Sequence, residues 1–481
     1  IPSEEQKAIK DAFCGTENNL MIQAGPGTGK SRTLLYLAPF APRGSIYLAF
    51  NKRIVEELVT KLPPNVEGRT FHSMMYAFLK DRMRKRLTIN GYKAANWIRD
   101  KWGDYGVSEC AMEFNDLVSK GKNLGVMVLE NNDKNFWYGV AENYDIQFLD
   151  EEGEEHIAHA VKAAIQFVKE PYRQGRPLPD EIDFDDMLHM SAYFADKHGW
   201  PWPQYKTVFV DEYQDTNSLQ QFILSNIAER IVAVGDKFQA IYGFRGASAE
   251  AMEQGREMFG CVEFPLQTTF RCPRLHVQNA QTINPDLRAA EWAEDGVIEP
   301  LLQGQMLEML REDDLVVCRN NFPLFSVAVQ LLKERRPFQI GAKFVKQLLR
   351  FVNRFKGSTM KEFREQLTEW WTAEKAKLES QQKFGKLQRE EDKVNALLEI
   401  QKECRDWNHL IMTLEQLIRS KSGVKLFTVH GAKGLEADRV FFLKPDLIPS
   451  KYSVTEDQLK QERNLEFVAI TRSKKELYFV D

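Results

Sequence analysis

The sequence predicts an α/β fold in which parallel sheets are covered by helices. Residues 21–31 combine a short apolar run, a glycine-rich turn and the start of a helical pattern. Residues 208–210 are a continuous apolar run of the kind that is buried on both faces of a parallel sheet. Further along, apolar runs at 314–319 and 337–340 flank a helical pattern at 325–335. Strand and helix therefore alternate in two separate regions, which predicts two α/β domains.

The turn in residues 21–31 is typical of a phosphate-binding loop. Backbone N–H groups of such a turn, at a helix N-terminus, can bind the β-phosphate of a nucleotide. Lys30 would then reach the β- and γ-phosphates, and the Ser31 hydroxyl would bind Mg²⁺. A glycine-rich turn that binds nothing is the alternative, and Ala24 stands where the strict motif has glycine. The predicted phosphate-binding residues are Ala24, Gly25, Pro26, Gly27, Thr28, Gly29, Lys30 and Ser31.

Two acids follow the buried strand at 208–210. Asp211 and Glu212 lie at its carboxyl end. This arrangement suits Asp211 holding Mg²⁺ through water and Glu212 polarising the attacking water. An acidic strand end is common and nonspecific by itself. Combined with the phosphate-binding loop, it predicts nucleotide hydrolysis, with Ser31 and Asp211 as the metal-binding residues.

The composition favours a multi-domain globular protein over a membrane protein or a protein that is basic throughout. A chain of 481 residues suggests about three or four domains. Its 43% hydrophobic and 28% charged content is typical of soluble globular proteins, and no segment approaches the ~18 apolar residues of a membrane span. A net charge of −4 excludes a protein that is basic throughout but allows a local basic groove. Six cysteines without a Cys-x-x-Cys pair favour a reducing compartment and no structural zinc.

Other strand ends also carry polar side chains. Near the N-terminus, Ser3 and Gln6 have the spacing of a capping box at the start of a helix. The predicted strand at 45–50 leads into Asn-Lys-Arg, and residues 69–73 form a polar and aromatic cluster at another strand end. Binding crevices in α/β sheets lie at these carboxyl ends. Solvated loop residues are the alternative explanation.

Two regions interrupt the α/β pattern, and both are mostly helical. The first, 77–180, contains the basic run 80–86, which is typical of a solvated face or of contact with phosphates. The second runs from about 345 to 420. Within it, Thr359 and Glu362 have the spacing of a capping box, which predicts the start of a helix. Its stretch 379–403 has many charges and few aromatic residues, which predicts a solvent-exposed helical hairpin.

Taken together, the motifs from Gln6 to Arg472 resemble, in order, those of the UvrD/Rep-type superfamily 1 DNA helicases. The resemblance implies two RecA-like motor domains, each with a mainly helical insertion, and ATP in the cleft between them. The implied divisions are the first motor domain at 1–76 and 181–264 with its insertion at 77–180, and the second at 265–345 and 421–481 with a small insertion at 346–420.

The resemblance also assigns roles in the use of ATP and Mg²⁺. Gln6 would read adenine, Phe270 would stack on it and Glu436 would contact the ribose. Gln239 would couple the γ-phosphate to DNA, while Arg271 and Arg472 would be arginine fingers. Such fingers stabilise charge that develops on the γ-phosphate. The implied catalytic residues are Lys30, Asp211, Glu212, Gln239, Arg271 and Arg472.

The resemblance implies a DNA track whose residues are Phe50, Asn51, Lys52, Thr70, His72, Tyr242, Phe244, Arg245, His430 and Lys433. Phe244 stands where many relatives have tryptophan, and Ala240 where serine is usual. The second insertion is much smaller than in the larger members, which leaves duplex engagement open. The implied partners are single-stranded DNA and single/double-strand junctions, with a protein partner possible through 346–420. We expect a monomer or weak oligomer, cytoplasmic and associated with DNA.

The leading functional hypothesis is an ATP-dependent helicase that moves 3′ to 5′ on single strands. One alternative is a DNA-stimulated translocase subunit of a larger repair, recombination or defence complex that does not unwind by itself. A second is a nucleotide-dependent scaffold that hydrolyses ATP poorly. The combination of Lys30, Glu212, Arg271 and Arg472 argues against the scaffold.

Overall fold

The computed structural model describes residues 2–49, 52–102, 110–144, 146, 148, 156–173, 179–241, 250–353, 355, 359–380 and 384–481, with backbone alone at 52–54, 102 and 343. The chain divides into two compact units. The first comprises Ile1–Ala24 and Gly29–Leu266, and the second Gly25–Thr28 and Gln267–Asp481. Among the described residues, no helix is both long enough and apolar enough to cross a lipid bilayer.

The first unit begins with a helix whose capping box is present as the sequence predicts, because Ser3 and Gln6 exchange side-chain to backbone hydrogen bonds. The strands of the unit are β1 (Leu20–Ala24), β2 (Ser45–Ala49), β3 (Val66–Thr70), β4 (Thr88–Ile89), β5 (Glu181–Ile182), β6 (Val208–Val210), β7 (Ile231–Gly235) and β8 (Val262–Leu266). Its helices are α1 (Glu4–Gly15), α2 (Lys30–Leu37), α3 (Lys52–Val59), α4 (Phe71–Met83), α5 (Lys93–Trp102), α6 (Ala111–Asn123), α7 (Lys134–Asn143), α8 (Ile157–Lys169), α9 (Asp186–His198), α10 (Ser218–Ile227) and α11 (Ala251–Met258).

Six of these strands form one parallel sheet in the order β3-β2-β6-β7-β1-β8. Strands β2, β6 and β7 are buried along their whole length, as their continuous apolar sequences predict. Because all six strands run the same way, the loops after β1, β6 and β7 emerge at one edge of the sheet. This edge carries the candidate nucleotide site.

The helices α5 to α8 enclose a hydrophobic core of their own. It is separate from the cores on the two faces of the sheet and is centred on large buried side chains such as Phe114, Trp137 and Phe167. Three ion pairs join this region to the start of α9, where Lys122 contacts Asp183 and Asp186, and Lys93 contacts Asp186.

The second unit repeats the alternation of strands and helices. Its strands are β9 (Thr268–Thr269), β10 (Arg288–Ala289), β11 (Val297–Leu301), β12 (Leu315–Cys318), β13 (Phe338–Ile340), β14 (Val424–Thr428), β15 (Ala437–Leu443) and β16 (Ser473–Val480). Its helices are α12 (Arg274–Ala280), α13 (Gln303–Met309), α14 (Asn321–Lys333), α15 (Ala342–Val352), α16 (Met360–Ser380), α17 (Phe384–Ile400), α18 (Trp407–Arg419), α19 (Val429–Ala432) and α20 (Glu456–Ile470).

Strands β11 to β16 form a second six-stranded parallel sheet in the order β11-β16-β15-β12-β14-β13. The predicted fold class is therefore confirmed: two parallel sheets, each interrupted by a mainly helical segment. The predicted helix between β12 and β13 is present as α14, and the capping box at Thr359 and Glu362 opens α16.

The expectation of a solvent-exposed hairpin at 379–403 is wrong. Helix α17 buries Val394, Leu397 and Ile400, and these side chains belong to the same hydrophobic core as α14 and the strands of the second sheet. Its charged side chains are not all exposed: Arg389 is exposed, most of the others are half-buried, and Glu390 and Asp392 are buried. An amphipathic helix rich in charged residues has a narrow apolar stripe, and that stripe was hidden by the composition of the whole stretch.

A buried carboxylate also links α17 to α14. Asp392 of α17 accepts hydrogen bonds from the backbone N–H groups of Asn321 (2.8 Å) and Phe322 (3.4 Å) at the start of α14. The first N–H groups of a helix have no partner within the helix, and the N-terminal end of its dipole favours a negative charge. Helix α17 therefore caps α14 as well as packing against it.

We expect the substitution Leu397→Ala to destabilise the second unit. Leu397 is fully buried in the core that α17 shares with the sheet. Truncation of a buried leucine leaves a cavity and costs about 2–5 kcal/mol in the free energy of unfolding. Urea denaturation of the purified protein measures this loss.

The matched control is Met412→Ala in α18, a helical residue of the same segment whose side chain is 58% exposed. It should change the free energy of unfolding by no more than about 0.5 kcal/mol. Equal and small effects of the two variants would show that α17 is an appendage of the unit after all.

Candidate nucleotide and DNA site

The phosphate-binding loop is built from β1, a turn and α2. Gly27 and Gly29 have φ angles of 71° and 86°, in the left-handed region that glycine adopts at little cost. The Thr28 hydroxyl donates a 2.9 Å hydrogen bond to the Gly25 carbonyl and closes the turn. Lys30 and Ser31 begin α2, so the predicted strand, turn and helix order is present.

The hydroxyl of Ser31 and the carboxylate of Asp211 meet at the end of the sheet. Ser31 Oγ donates a 2.6 Å hydrogen bond to Asp211 Oδ2, and Tyr47 OH donates a 2.8 Å hydrogen bond to the same oxygen. Three neighbouring parts of the unit therefore converge on one carboxylate oxygen: α2 through Ser31, β2 through Tyr47 and the end of β6 through Asp211.

A second chain of contacts runs beside the first. Lys30 Nζ lies 3.5 Å from Glu212 Oε2, which also accepts a 2.6 Å hydrogen bond from Gln214 Nε2. The Gln214 Oε1 atom accepts from the backbone N–H of Asp236 at 2.9 Å, and Gln239 Nε2 donates to Asp236 Oδ2 at 2.7 Å. The loops after β1, β6 and β7 are thereby joined by side-chain contacts.

Burial alters the acid–base properties of this site. Burial raises the pKa of the Asp211 carboxyl, and the neighbouring Glu212 charge raises it further, while the Ser31 and Tyr47 hydroxyls and Lys30 oppose the rise. Burial also raises the pKa of Asp236, against the lowering effect of Lys30. A cation placed beside Asp211 would therefore find a carboxylate with little competing solvation.

The donor set beside Asp211 fits magnesium. Hydroxyl and carboxylate oxygens are the hard ligands that Mg²⁺ prefers, and Ser31 and Asp211 present two of them within 2.6 Å of each other. Among the described residues, no group of three or more His, Cys, Asp or Glu side chains could hold a metal. Such a cluster is not required where waters and substrate phosphates supply most of the ligands.

Gln6 lies beside the loop and is almost fully buried. Its Oε1 atom accepts from the Ser3 backbone N–H at 3.0 Å, and its Nε2 atom donates to Thr33 Oγ1 at 2.9 Å. The side chain is thus fixed between the start of α1 and helix α2.

The second unit brings together Arg271, Glu436 and Arg472, which the sequence places far apart. Arg271 Nε lies 2.7 Å from Glu436 Oε2, and Arg271 Nη1 donates to the Thr471 carbonyl at 3.3 Å. Arg472 is only 1% exposed, and its guanidinium donates to the carbonyls of Val468 and Leu435. The backbone of this unit therefore holds both predicted finger arginines.

An exposed aromatic pair lies beside Arg271. The Phe270 ring is stacked with Trp292 at a centroid distance of 6.4 Å and an interplanar angle of 19°. The exposed fractions are 43% for Phe270 and 71% for Trp292. Large exposed aromatic side chains on a folded unit are available to stack on a planar ligand.

The predicted DNA residues are divided between the units. In the first unit, Thr70 caps α4 in a reciprocal pair with Ser73, and His72 follows it in the first turn. Burial lowers the pKa of His72, so its ring is neutral at pH 7. In the second unit, His430 lies within α19 and Lys433 follows that helix. Residues outside the described part of the chain are Phe50, Asn51, Tyr242, Phe244 and Arg245, together with the side chain of Lys52.

Sequence reasoning missed three participants in the first unit: Tyr47, Gln214 and Asp236. Asp236 follows the buried strand β7 just as Asp211 follows β6, so the same signal could have found it. Gln214 lies two residues after Glu212, in the turn that follows the acids. Tyr47 gave no signal, because its ring is an ordinary member of an apolar strand and only its hydroxyl reaches the site.

Two family models match the chain. Residues 3–260 match the UvrD/REP helicase N-terminal domain, and residues 423–480 match the UvrD-like helicase C-terminal domain. The chain belongs to the UvrD/Rep helicase family. The protein is therefore a DNA-dependent, ATP-hydrolysing helicase, and its two parallel sheets are the RecA-like domains of that family.

Curated relatives of this UvrD/Rep-type helicase come from several organisms. A probable DNA helicase II homolog of Rickettsia conorii is 21% identical over an alignment that covers 99% of this chain and 91% of the relative. DNA helicase IV of Escherichia coli K12 is 22% identical, over 54% of this chain and 44% of the relative. The ATP-dependent DNA helicase PcrA of Staphylococcus epidermidis is 25% identical, over 52% and 35%.

We expect Tyr47→Phe to move the acid limb of the helicase's ATPase pH profile to higher pH. The Tyr47 hydroxyl stabilises the ionised form of Asp211, so its loss raises the pKa of that carboxyl further. At a given acidic pH, a larger fraction of the enzyme then carries a protonated Asp211. A hydrogen bond to a charged group is worth about 1.5–3 kcal/mol, so turnover at the acid end should fall about tenfold or more, with little change at alkaline pH.

The measurement is DNA-stimulated ATP hydrolysis across a pH series. Tyr478→Phe is the control, because its hydroxyl also donates to a carboxylate, Glu476, at 2.7 Å but lies outside this site. A Tyr47→Phe profile that superimposes on that of the parent would contradict the assigned effect on Asp211.

Proposed function

We propose that this helicase translocates 3′ to 5′ on single-stranded DNA and separates duplex strands by coupling ATP hydrolysis to closure of its two motor domains. The observation that supports the proposal most is the chain of contacts Lys30–Glu212–Gln214–Asp236–Gln239. It connects the residues proposed to bind the γ-phosphate with the loop after β7, which leads into the proposed DNA residues at 242–245.

In this proposal the first unit binds the phosphates and activates water. The loop N–H groups and Lys30 bind the β- and γ-phosphates, and Ser31 with Asp211 holds Mg²⁺, which offsets phosphate charge when bound. Glu212 orients and polarises the attacking water. Lys30 lies within ion-pair distance of Glu212 in the absence of ATP. When ATP binds, Lys30 would pair with the γ-phosphate instead, and Glu212 would then be able to bind the attacking water.

The second unit would recognise the base and sugar and supply positive charge. Phe270 would stack on adenine, Gln6 of the first unit would read its edge, and Glu436 would bind a ribose hydroxyl. Glu436 pairs with Arg271 at 2.7 Å. A ribose hydroxyl that binds Glu436 would replace this ion pair, and Arg271 would then be able to move toward the γ-phosphate. Arg472 would be the second arginine finger, with its side chain held by carbonyls of its own unit.

DNA would be bound by stacking and by phosphate contacts, which carry no base code. Thr70, His72, His430 and Lys433 would hold the backbone, and the aromatic residues at 50, 242 and 244 would stack on bases. A neutral His72 suits a hydrogen bond to a phosphate better than an ion pair. The proposed substrates are single strands and single/double-strand junctions, and residues 346–420 offer a surface for a protein partner.

We expect Lys30→Ala and Glu212→Gln to lower DNA-stimulated ATP turnover by about 10³-fold or more, because each removes a group that acts on the transferred phosphate or on its attacking water. Glu212→Gln should still bind ATP, since it leaves the loop and Lys30 intact. Turnover and equilibrium binding of a fluorescent ATP analogue are the two measurements.

The matched controls are Lys206→Ala and Glu229→Gln, which disrupt an exposed lysine–glutamate ion pair of the same unit. Both should keep turnover near that of the parent. Near-normal turnover in Glu212→Gln would remove Glu212 from the proposed role.

The polarity is tested by strand displacement on 3′-tailed, 5′-tailed and blunt duplexes. A motor that loads on a single strand and moves 3′ to 5′ should displace the strand only where a 3′ tail is present. Preference for the 5′ tail would reverse the proposed polarity. Robust DNA-stimulated ATPase without displacement on any substrate would favour the translocase subunit of a larger complex.

A further inference from the structure

A strongly basic cavity lies at the C-terminal end of α4 in the first unit. Its volume is about 720 Å³, and it is lined by Tyr76, Lys80, Arg84, Lys85, Arg86 and Leu87. Four of these six side chains are cationic. The cavity contains most of the basic run 80–86, and no residue of the candidate ATP site lines it.

Among the described residues, three of the four cations have no counter-ion. Lys85 pairs with Asp180 at 2.6 Å. Within the part of the chain that the structure describes, no carboxylate lies within ion-pair distance of Lys80, Arg84 or Arg86. The negative end of the α4 dipole accounts for Lys80 in the last turn. It does not account for Arg86, which lies beyond the helix.

The charge of the lining residues favours a ligand with several negative charges. Pockets for uncharged small molecules are lined mainly by hydrophobic and aromatic side chains with a few polar groups. Here like charges converge around open volume, an arrangement that an anion with several charges would stabilise. Lysine and arginine side chains with an adjacent aromatic ring are the usual lining of a surface that follows a nucleic-acid backbone.

The position of the cavity relates it to the proposed DNA track. Helix α4 has Thr70 as its N-cap and His72 in its first turn, and it ends at Met83, 13 residues after Thr70. At 1.5 Å per residue the helix is about 20 Å long. Along the axis of duplex DNA one strand carries one phosphate per ~3.4 Å, so in this geometry the length corresponds to about six nucleotides. A strand bound at the start of α4 can therefore reach the cavity only if it extends several nucleotides further.

We propose that this cavity is a second DNA-phosphate site, in which Lys80, Arg84 and Arg86 bind the backbone of a strand about six nucleotides from its contacts with Thr70 and His72. The inference rests on the proposed placement of the DNA track at the start of α4. Under this proposal, a long strand contacts both the track and the cavity, whereas a short strand contacts the track alone.

The test compares the parent with the double variant Lys80→Gln/Arg86→Gln. Affinity for oligonucleotides of about 5 and about 20 nucleotides is measured by fluorescence anisotropy over a salt series. Each phosphate contact on a single strand contributes about 0.7 to the slope of log K against log salt. We expect the variant to lower the slope for the long strand by about 1.4 and to leave the short-strand slope unchanged.

The matched control is Arg43→Gln/Lys61→Gln, which removes one exposed arginine and one exposed lysine elsewhere in the same unit. Its slopes should equal those of the parent at both lengths. Unchanged slopes in the cavity variant would show that DNA does not enter the cavity, and an equal loss at both lengths would make the cavity part of the track. A Thr70→Ala/His72→Ala variant with parental affinity for the short strand would instead overturn the track placement.

Discussion

The buried carboxylate of Asp211 is the group on which the first unit's site depends. The pairing register of β2 and β6 determines the position of this carboxylate relative to Tyr47. Tyr47 of β2 is paired with Phe209 of β6, two residues before Asp211, so the tyrosine hydroxyl can reach the carboxylate from the neighbouring strand. Ser31 reaches the same oxygen from the helix after the loop. Burial without these two donors would favour a neutral acid. Strand register, loop geometry and acid–base state are therefore linked through a single oxygen atom.

The two helical segments are attached to their sheets in different ways. Residues from α5 to α8 enclose a separate core and join the sheet through buried ion pairs around Lys122. The ionised form of Asp186 is stabilised by Lys122 and Lys93, which hold its pKa well below its usual range. Helix α17 instead shares the core of its unit and caps α14 through Asp392. The first segment therefore has a core of its own, whereas the second shares the core of its sheet.

The sequence predicted most of the fold and the main ATP-site residues because their signals are local. A glycine-rich turn between strand and helix, and acids after an apolar strand, need only a few neighbouring residues to be recognised. Tyr47 and the pairing of Arg271 with Glu436 depend on strand register and on segments distant in sequence, which no local pattern reports. The burial of α17 was missed for a related reason, since its apolar stripe is complementary to α14, some 70 residues earlier.

The strand order of the second sheet also has a consequence for how the chain folds as it is synthesised. Strand β16 lies between β11 and β15, so β11 has no partner strand in this sheet until residue 480 has left the ribosome. The first sheet is complete once β8 has emerged, more than 200 residues earlier. The first unit can therefore fold during translation, while the second exposes β11 and part of its apolar core for the whole of its synthesis. Chaperone binding to nascent chains should accordingly concentrate on the second unit.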